Sequence, residues 1–377
     1  MVTLIQSLNN SFDFKVALLR NGKHAKYLES LGIPYDIIKA APLKYFYHNE
    51  TGKIQLWYAL KYIGIYRDWQ RTVNTVGFEY LKKQKADIIH LNSHVLSSWA
   101  FVAKKIGFKV ILHNRETVAK GYFGFRRRIL QKLIKENTDA IINISHDNKK
   151  RLGIERNSFV VYNFVEIPKK YKTPFLKNKE TKVLYLGGQS KIKGFKTAVN
   201  TLKYISPGCK IMFAGNYGKY NIARNVSTIF KNLLKLLFFT SVYAPLRKMK
   251  KFKNFEMIGM FLDALPQIDS SDILIAPFKI EHFSRPAMEA MAYGKPVIAS
   301  NVEGMDEIVD DGITGILVDK NNPKKLAKAI NYLNQNPEIG IVMGQKGREK
   351  AIKLFSAKKN SIQVKDVYLK VLNISKS

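Results

Sequence analysis

The stretch that decides the fold runs from Asp272 to Asp319 and reads DILIAPFKIEHFSRPAMEAMAYGKPVIASNVEGMDEIVDDGITGILVD. DILIAP at its start is an apolar run of strand length, and PVIAS, Pro296–Ser300, is a second. Between them, Pro286 falls in the first turn of a helix and Gly294 closes it, the favoured place for each. A third run, Ile316–Val318, follows. Strand, loop, helix, strand is the repeating unit of a parallel sheet covered on both faces.

The same alternation extends in both directions. Upstream, strands are expected at Val183–Leu186, Lys210–Ala214 and Phe255–Ile258. An earlier array comprises Lys15–Leu19, Tyr35–Ile38, Asp87–Leu91, Lys109–Leu112, Ala140–Ile144 and Phe159–Tyr162. Near-continuous Val/Ile/Leu runs separated by helix-length amphipathic stretches are strands buried on both faces. Two arrays therefore predict an α/β protein of two Rossmann-like doubly wound domains facing a cleft. The expected N-terminal domain is 1–168, a basic, Pro-punctuated linker is 169–180, and the second domain is 181–355. A last helix, 356–377, is expected to pack back on the first domain.

At 377 residues the chain has the length of about two domains. With 46% apolar residues it can bury a full core, which excludes a disordered or collagen-like chain. Lys and Arg number 63 against 29 acids, a net +34 that calls for an anionic partner. A lone cysteine, Cys209, excludes an internal disulfide and a cysteine-built zinc site. No run reaches the ~20 apolar residues of a membrane span. The opening MVTLIQSLNNSFDFK lacks a basic region followed by an apolar core, so no signal peptide is expected and the cytoplasm is the expected compartment.

From Thr181 to Phe255 there is no acid and there are 15 Lys/Arg. Within this stretch Val226, Ile229, Phe230, Leu233, Leu234, Leu237 and Phe238 recur at helical spacing beside Arg224, Lys231 and Lys235. Such a stripe fits a helix lying on an anionic membrane surface and fits a core-facing helix equally well.

Amides at the helix start around Ser284–Ala287 can receive a phosphate. Glu281 lies in the loop before that start and Glu289 about one turn beyond it. Carboxylates there suit hydroxyls next to a phosphate, since each can accept two hydrogen bonds.

The segment resembles the donor-site signature of retaining nucleotide-sugar glycosyltransferases of the GT-B fold, the family-4 grouping (glycosyl transferases group 1). Their pattern is Glu, seven residues, Glu, then EAMAxGxPVIAS, and Glu281 and Glu289–Ser300 match it. Upstream, Gly187-Gly188-Gln189-Ser190-Lys191-Ile192-Lys193-Gly194 resembles the family's glycine-led phosphate loop. The resemblance implies that Glu281 contacts donor-sugar hydroxyls and Glu289 the nucleotide ribose. It implies that Lys193 grips the diphosphate and that Gly187, Gly188, Phe283 and Ser284 line the donor site. The family usually carries Arg where this chain has Gly188, so one phosphate-binding cation is missing or Lys191 substitutes for it. His282 and Ser284 stand where many relatives have glycines.

In the N-terminal half, DIIHLN (Asp87–Asn92) and VILHNRE (Val110–Glu116) resemble strands and loops of the same family. His113 matches the histidine beside the anomeric centre and, with Glu281, is the candidate catalytic residue. His90 and His94 are weaker candidates, and Arg115 and Glu116 are expected to pair or to line the acceptor groove. The chain opens on a helix followed by the family's second strand, with no counterpart of its first strand and Gly-rich loop.

No Asp-x-Asp triad occurs, so no metal and no cofactor is expected. The leaving diphosphate is to be met by Lys193 and helix-start amides. The resemblance implies transfer of a sugar from a UDP- or GDP-linked donor, with retention, to a lipid-linked or polysaccharide acceptor. The setting is surface-polysaccharide assembly on the inner face of the cytoplasmic membrane. Docking there would use Arg126–Arg128 with Ile129, Leu130, Leu133 and Ile134, plus 222–239. The alternative is a catalytically inactive nucleotide-sugar-binding or scaffold subunit. No nucleic-acid module is recognisable; Trp57, Tyr58, Tyr62, Tyr66 and Trp69 read more simply as a core or acceptor-facing stripe.

Overall fold

The computed structural model describes residues 1–39, 41, 59–118, 124–175, 180–215, 240–249, 251–261 and 263–373. Two compact units emerge. One comprises Met1–Asn163 with Ala357–Ser377, and the other Phe164–Ser356.

The second unit holds one six-stranded sheet. Its strands are β7 (Thr181–Tyr185), β8 (Cys209–Ala214), β9 (Phe255–Gly259), β10 (Ile273–Ala276), β11 (Val297–Ser300) and β12 (Gly315–Val318). All neighbours are parallel, in the order β12-β11-β10-β7-β8-β9. That is the doubly wound order 3-2-1-4-5-6 read from the β9 edge, and its topological switch point lies between β7 and β10. β10 and β11 are buried at every residue, as their unbroken apolar sequences require. Tyr185, Phe195 and Phe213 pack ring against ring at the core of this unit.

The first unit uses β1 (Val16–Leu18) and β2 (Tyr35–Ile37) as one parallel pair. A separate parallel sheet, β3-β4-β5-β6, comprises Ile88–Leu91, Lys109–Asn114, Ala140–Asn143 and Ser158–Val160. In the doubly wound order a strand ahead of the first helix would pair with both β1 and β3. Among the described residues the sheet is divided at that place. The first helix, Val2–Leu8, buries Leu4, Ile5 and Leu8. The last helix, Ala357–Val371, belongs to this unit, where Asn360 Nδ2 donates to the Tyr162 carbonyl at 3.0 Å.

All twelve expected strands are present, within one or two residues at their ends. The stretch expected as a linker differs. Its described part, through Phe175, is fastened to the second unit. Lys172 N–H donates to Asp269 Oδ1 at 2.8 Å, and Phe175 N–H to Asp272 Oδ1 at 2.6 Å. The Lys172 carbonyl accepts Lys295 Nζ at 2.6 Å. Lys295 is fully buried, and burial holds its amine down to about 8, against the pull of Asp269 and Asp272. Arg348 covers the Tyr171 ring at 4.4 Å and donates to the Pro168 carbonyl at 2.6 Å. These partners lie about a hundred residues or more away, so local composition reads as loop while the contacts are those of an anchored strap.

Helix Phe125–Asn137 also departs from expectation. Leu130 and Ile134 turn into the core of the first unit and Arg126 is buried, so none of the three is available for docking. The outward face carries Phe125, 64% exposed, with Arg128, Ile129 and Lys132. The expected basic helix at 222–239 lies outside the described residues, as do the side chains of Trp57, Tyr58 and Tyr62.

Backbone crowding at the switch point yields the first prediction. Gly194 has φ +78°, and a Cβ there would lie 1.8 Å from the Pro277 carbonyl oxygen. Left-handed strain plus overpacking against backbone should make Gly194→Ala destabilising by about 3 kcal/mol. A lowered urea midpoint with unchanged slope is the expected reading; an unshifted midpoint counts against this packing.

Candidate active site

In the second unit the site is built where the loops after β7 and β10 meet at the switch point. Lys279 N–H donates to the Ile192 carbonyl at 2.9 Å, tying one loop to the other. Gly188 sits at φ +54°, and a Cβ on Gly215 would fall 2.4 Å from its Cα. The loops after β7 and β8 thus run nearly in contact there, which leaves no room for a side chain at Gly215. Gly187 is closed off similarly, since a Cβ would overlap the Tyr185 ring.

Lys193 follows in the same loop and is half-buried. Its N–H donates to Ser190 Oγ at 3.3 Å, and its carbonyl accepts the Tyr185 hydroxyl at 3.3 Å. It stands within electrostatic reach of His282, whose imidazole is held down to about 4, first by burial and then by the Lys193 charge. His282 stacks on Phe278, centroids 4.0 Å apart, and its backbone N–H donates to the Glu303 carbonyl. Lys279 is lowered too, by burial and then by Lys196 and Lys191. Among the described residues Lys191, Lys193, Lys196 and Lys279 have no acidic partner. Uncompensated cations gathered at a switch point favour an anionic ligand.

Ser284 caps helix Arg285–Ala292. Its buried hydroxyl accepts the Ala287 N–H at 3.4 Å, so that amide is not free for a phosphate as expected. Pro286 has no N–H, which leaves the Arg285 amide as the open donor of the first turn. Phe283 turns inward, edge-on to Phe355 at 6.1 Å, and supports the loop from beneath. Glu289 lies one turn into the helix, its side chain 15% exposed, and accepts Arg285 Nε at 2.8 Å. Burial raises its carboxyl above the ordinary value, and Arg285 offsets part of that. Glu281 is half-buried in the loop between β10 and the helix.

In the first unit a polar cluster occupies the carboxyl ends of β3, β4 and β5. His113 is 1% exposed; the structure places it inside this cluster, not on an open groove. Its Nδ1 faces His90 Nε2 at 3.3 Å, and His90 Nδ1 faces the Tyr368 hydroxyl at 2.7 Å. Burial, then Arg115, holds both imidazoles neutral, His90 at about 3 and His113 well below the usual range. His94 pairs with Asn114 Oδ1 at 3.0 Å, and Asn114 donates to Asn143 Oδ1 at 3.0 Å. Ser93 Oγ donates to Glu116 at 2.8 Å. His94 also lies 3.6 Å from Glu116, but burial keeps its ring neutral, down to about 4, so this contact is not an ion pair. Arg115 lies close enough to lower the Glu116 carboxyl, although burial raises it more.

Sequence reasoning singled out neither His282 nor Lys279 as site residues. His282 was signalled only as a departure from glycine, and Lys279 by nothing local.

Residues 167–350, nearly the whole second unit, match the family model described as Glycosyl transferases group 1. An uncharacterised glycosyltransferase of Methanocaldococcus jannaschii is 27% identical over 78% of each chain. An uncharacterised 41.2 kDa protein in the cps region of Klebsiella pneumoniae is 26% identical over 68% of this chain and 74% of its own. Among solved structures, Anabaena HepE, in complex with UDP and glucose, superposes with a TM-score of 0.73 at 17% identity, covering 97% of this chain and 95% of its own. The lipopolysaccharide outer core galactosyltransferase WaaB gives 0.65 at 18% identity, covering 98% and 94%. With the Glu281–Ser300 segment inside the matched range, the second unit is a group 1 glycosyltransferase domain, and the chain shares the fold of its GT-B neighbours.

Proposed function

We propose that the chain transfers a hexose from a nucleotide diphosphate sugar, UDP- or GDP-linked, to a lipid-linked or polysaccharide acceptor, with retention and without a metal. The observation that carries this reading is the set of lysines at the switch point without an acidic partner among the described residues. One of the same loops leads into the helix bearing the Arg285 amide and the Glu289 carboxylate. Diphosphate and ribose hydroxyls together need that combination of donors and acceptors. Lys193 offsets the charge of the leaving diphosphate, and Glu289 accepts the ribose hydroxyls. Glu281 serves the donor sugar. The leaving phosphate accepts the proton of the acceptor hydroxyl, so the attacking oxygen needs no separate base.

A surface-polysaccharide role is supported by the cps-region relative and by the likeness to a lipopolysaccharide galactosyltransferase. Among the described residues no helix is long and apolar enough to cross a membrane. Phe125, Arg128, Ile129 and Lys132 offer an apolar and cationic face for peripheral attachment to the inner leaflet. The second reading is a subunit that binds nucleotide sugar through the second unit without turnover.

The test is a panel of UDP- and GDP-sugars, read by thermal shift and then by transfer to lipid extract. One donor should raise the melting temperature and be consumed. Binding without consumption selects the non-catalytic reading, and no shift with any donor overturns both. Salt-sensitive binding to anionic vesicles, weakened by Phe125→Ser with Arg128→Ser, is expected; equal binding to neutral vesicles removes the membrane role.

A further inference from the structure

Tyr368, His90 and His113 form a hydrogen-bonded row, buried at both ends and half-buried at His90, whose protons can be counted. Tyr368 lies on the last helix, while His90 and His113 lie on the adjacent strands β3 and β4. The row runs from Tyr368 Oη to His90 Nδ1 at 2.7 Å, then from His90 Nε2 to His113 Nδ1 at 3.3 Å. His113 Nε2 has no hydrogen-bond partner among the described residues. Both rings are neutral, with burial and the nearby Arg115 and chain amino group disfavouring a second proton on either. Each imidazole therefore has one N–H, and the row can point only one of two ways.

If His113 donated from Nδ1, His90 would have to donate from Nδ1 to the phenol oxygen. The Tyr368 proton would then have no acceptor, although the residue is only 4% exposed and makes no other hydrogen bond among the described residues. A buried donor without a partner is the costly case. In the opposite sense every internal proton is used: Tyr368 donates to His90 Nδ1, and His90 donates from Nε2 to His113 Nδ1. A separation of 2.7 Å also suits an O–H donor better than an N–H one.

We propose that Tyr368 and His90 are positioning residues that hold His113 in its Nε2–H form, so that the ring presents a donor, not an acceptor, at the carboxyl end of β4. The proposal rests on the reading of the chain as a sugar transferase, but the tautomer can be read without substrate. A donor at that place can engage a hydroxyl or ring oxygen; it cannot take the acceptor's proton. The C-terminal helix thereby acquires a role in setting the chemistry of a strand end more than 250 residues earlier.

The experiment is two-bond proton–nitrogen NMR on protein labelled with nitrogen-15 histidine, which separates the two neutral tautomers. Seven histidines are present, and His113→Gln and His90→Gln assign the two signals. The intact protein should show both residues as Nε2–H. Tyr368→Phe keeps the ring against Phe12 and removes only the hydroxyl. It should give His90 and His113 mixed tautomers and lower kcat roughly tenfold, with the KM for donor unchanged. An Nδ1–H signal on His113 in the intact protein overturns the proposal, as does Tyr368→Phe with unaltered tautomers. If no donor is turned over while the tautomers are as stated, the function reading falls and the hydrogen-bonded row stands. If transfer proceeds with His113 as Nδ1–H, the reverse holds.

Discussion

Lys193→Ala should lower kcat for sugar transfer about 100- to 1000-fold, the cost of removing one preorganised group that meets charge developing in the transition state. The side chain is half-buried, its loop is pinned by Ser190 and Tyr185, and no acid among the described residues competes for it. Its charge is thus available to the leaving diphosphate at little reorganisation cost. Steady-state rates with the donor found in the panel provide the check. Lys193→Arg should recover only part of the rate, because a planar fork replaces a point charge in a loop shaped for lysine. Should Lys193→Ala run at the native rate while Lys279→Ala is crippled, the leaving-group role belongs to Lys279. That alternative is concrete because the Ile192–Lys279 hydrogen bond brings the two loops together.

Glu289→Gln should weaken donor binding roughly 10- to 100-fold, since hydrogen bonds to a charged acceptor contribute about 1.5–3 kcal/mol. Calorimetry with UDP and GDP measures it without requiring turnover. The native carboxyl also predicts a pH dependence. Burial raises it above the ordinary 4.5, ahead of the lowering by Arg285. If donor binding uses the carboxylate as proposed, affinity should be full above the raised value and fall as pH drops through it. The stability contribution of the same group has the opposite sign. A folded value above the unfolded one stabilises most at low pH, and that contribution is lost as pH rises through the folded value. Acid should therefore weaken nucleotide binding while Glu289 itself favours the fold. Binding that stays constant down to the ordinary carboxylate range would remove Glu289 from the ribose.

The two variants separate two kinds of effect. On the proposed reading Lys193 meets charge that grows during reaction, so its loss should appear mainly in kcat. On the same reading Glu289 binds ribose hydroxyls that do not change in the reaction, so its loss should appear mainly in donor affinity.

Strand positions were legible because each buried parallel strand needs its own apolar run, and that demand is local. The donor segment was legible for a related reason. Loop, Pro286, helix and Gly294 are consecutive, so spacing alone sets Glu281 before the helix start and Glu289 one turn inside it. Placement failed wherever a side chain had a choice of directions. Phe283 reads as a site aromatic, yet Phe355 draws it inward, and the hydroxyl of Ser284 is spent on its own helix. Leu130 and Ile134 read as part of a docking face, yet they complete the core of the first unit.

By itself the sequence determined two parallel α/β arrays, the family of the second unit, and the start of the helix after Ser284, because periodicity, capping and motif spacing are properties of neighbouring residues. Only the tertiary structure decided that the supposed linker is strapped to Lys295 and Arg348, that Lys279 and His282 join Lys193, and that Tyr368 reaches His90. Those facts depend on burial and on partners far apart in the chain, and desolvation has no sequence period to betray it.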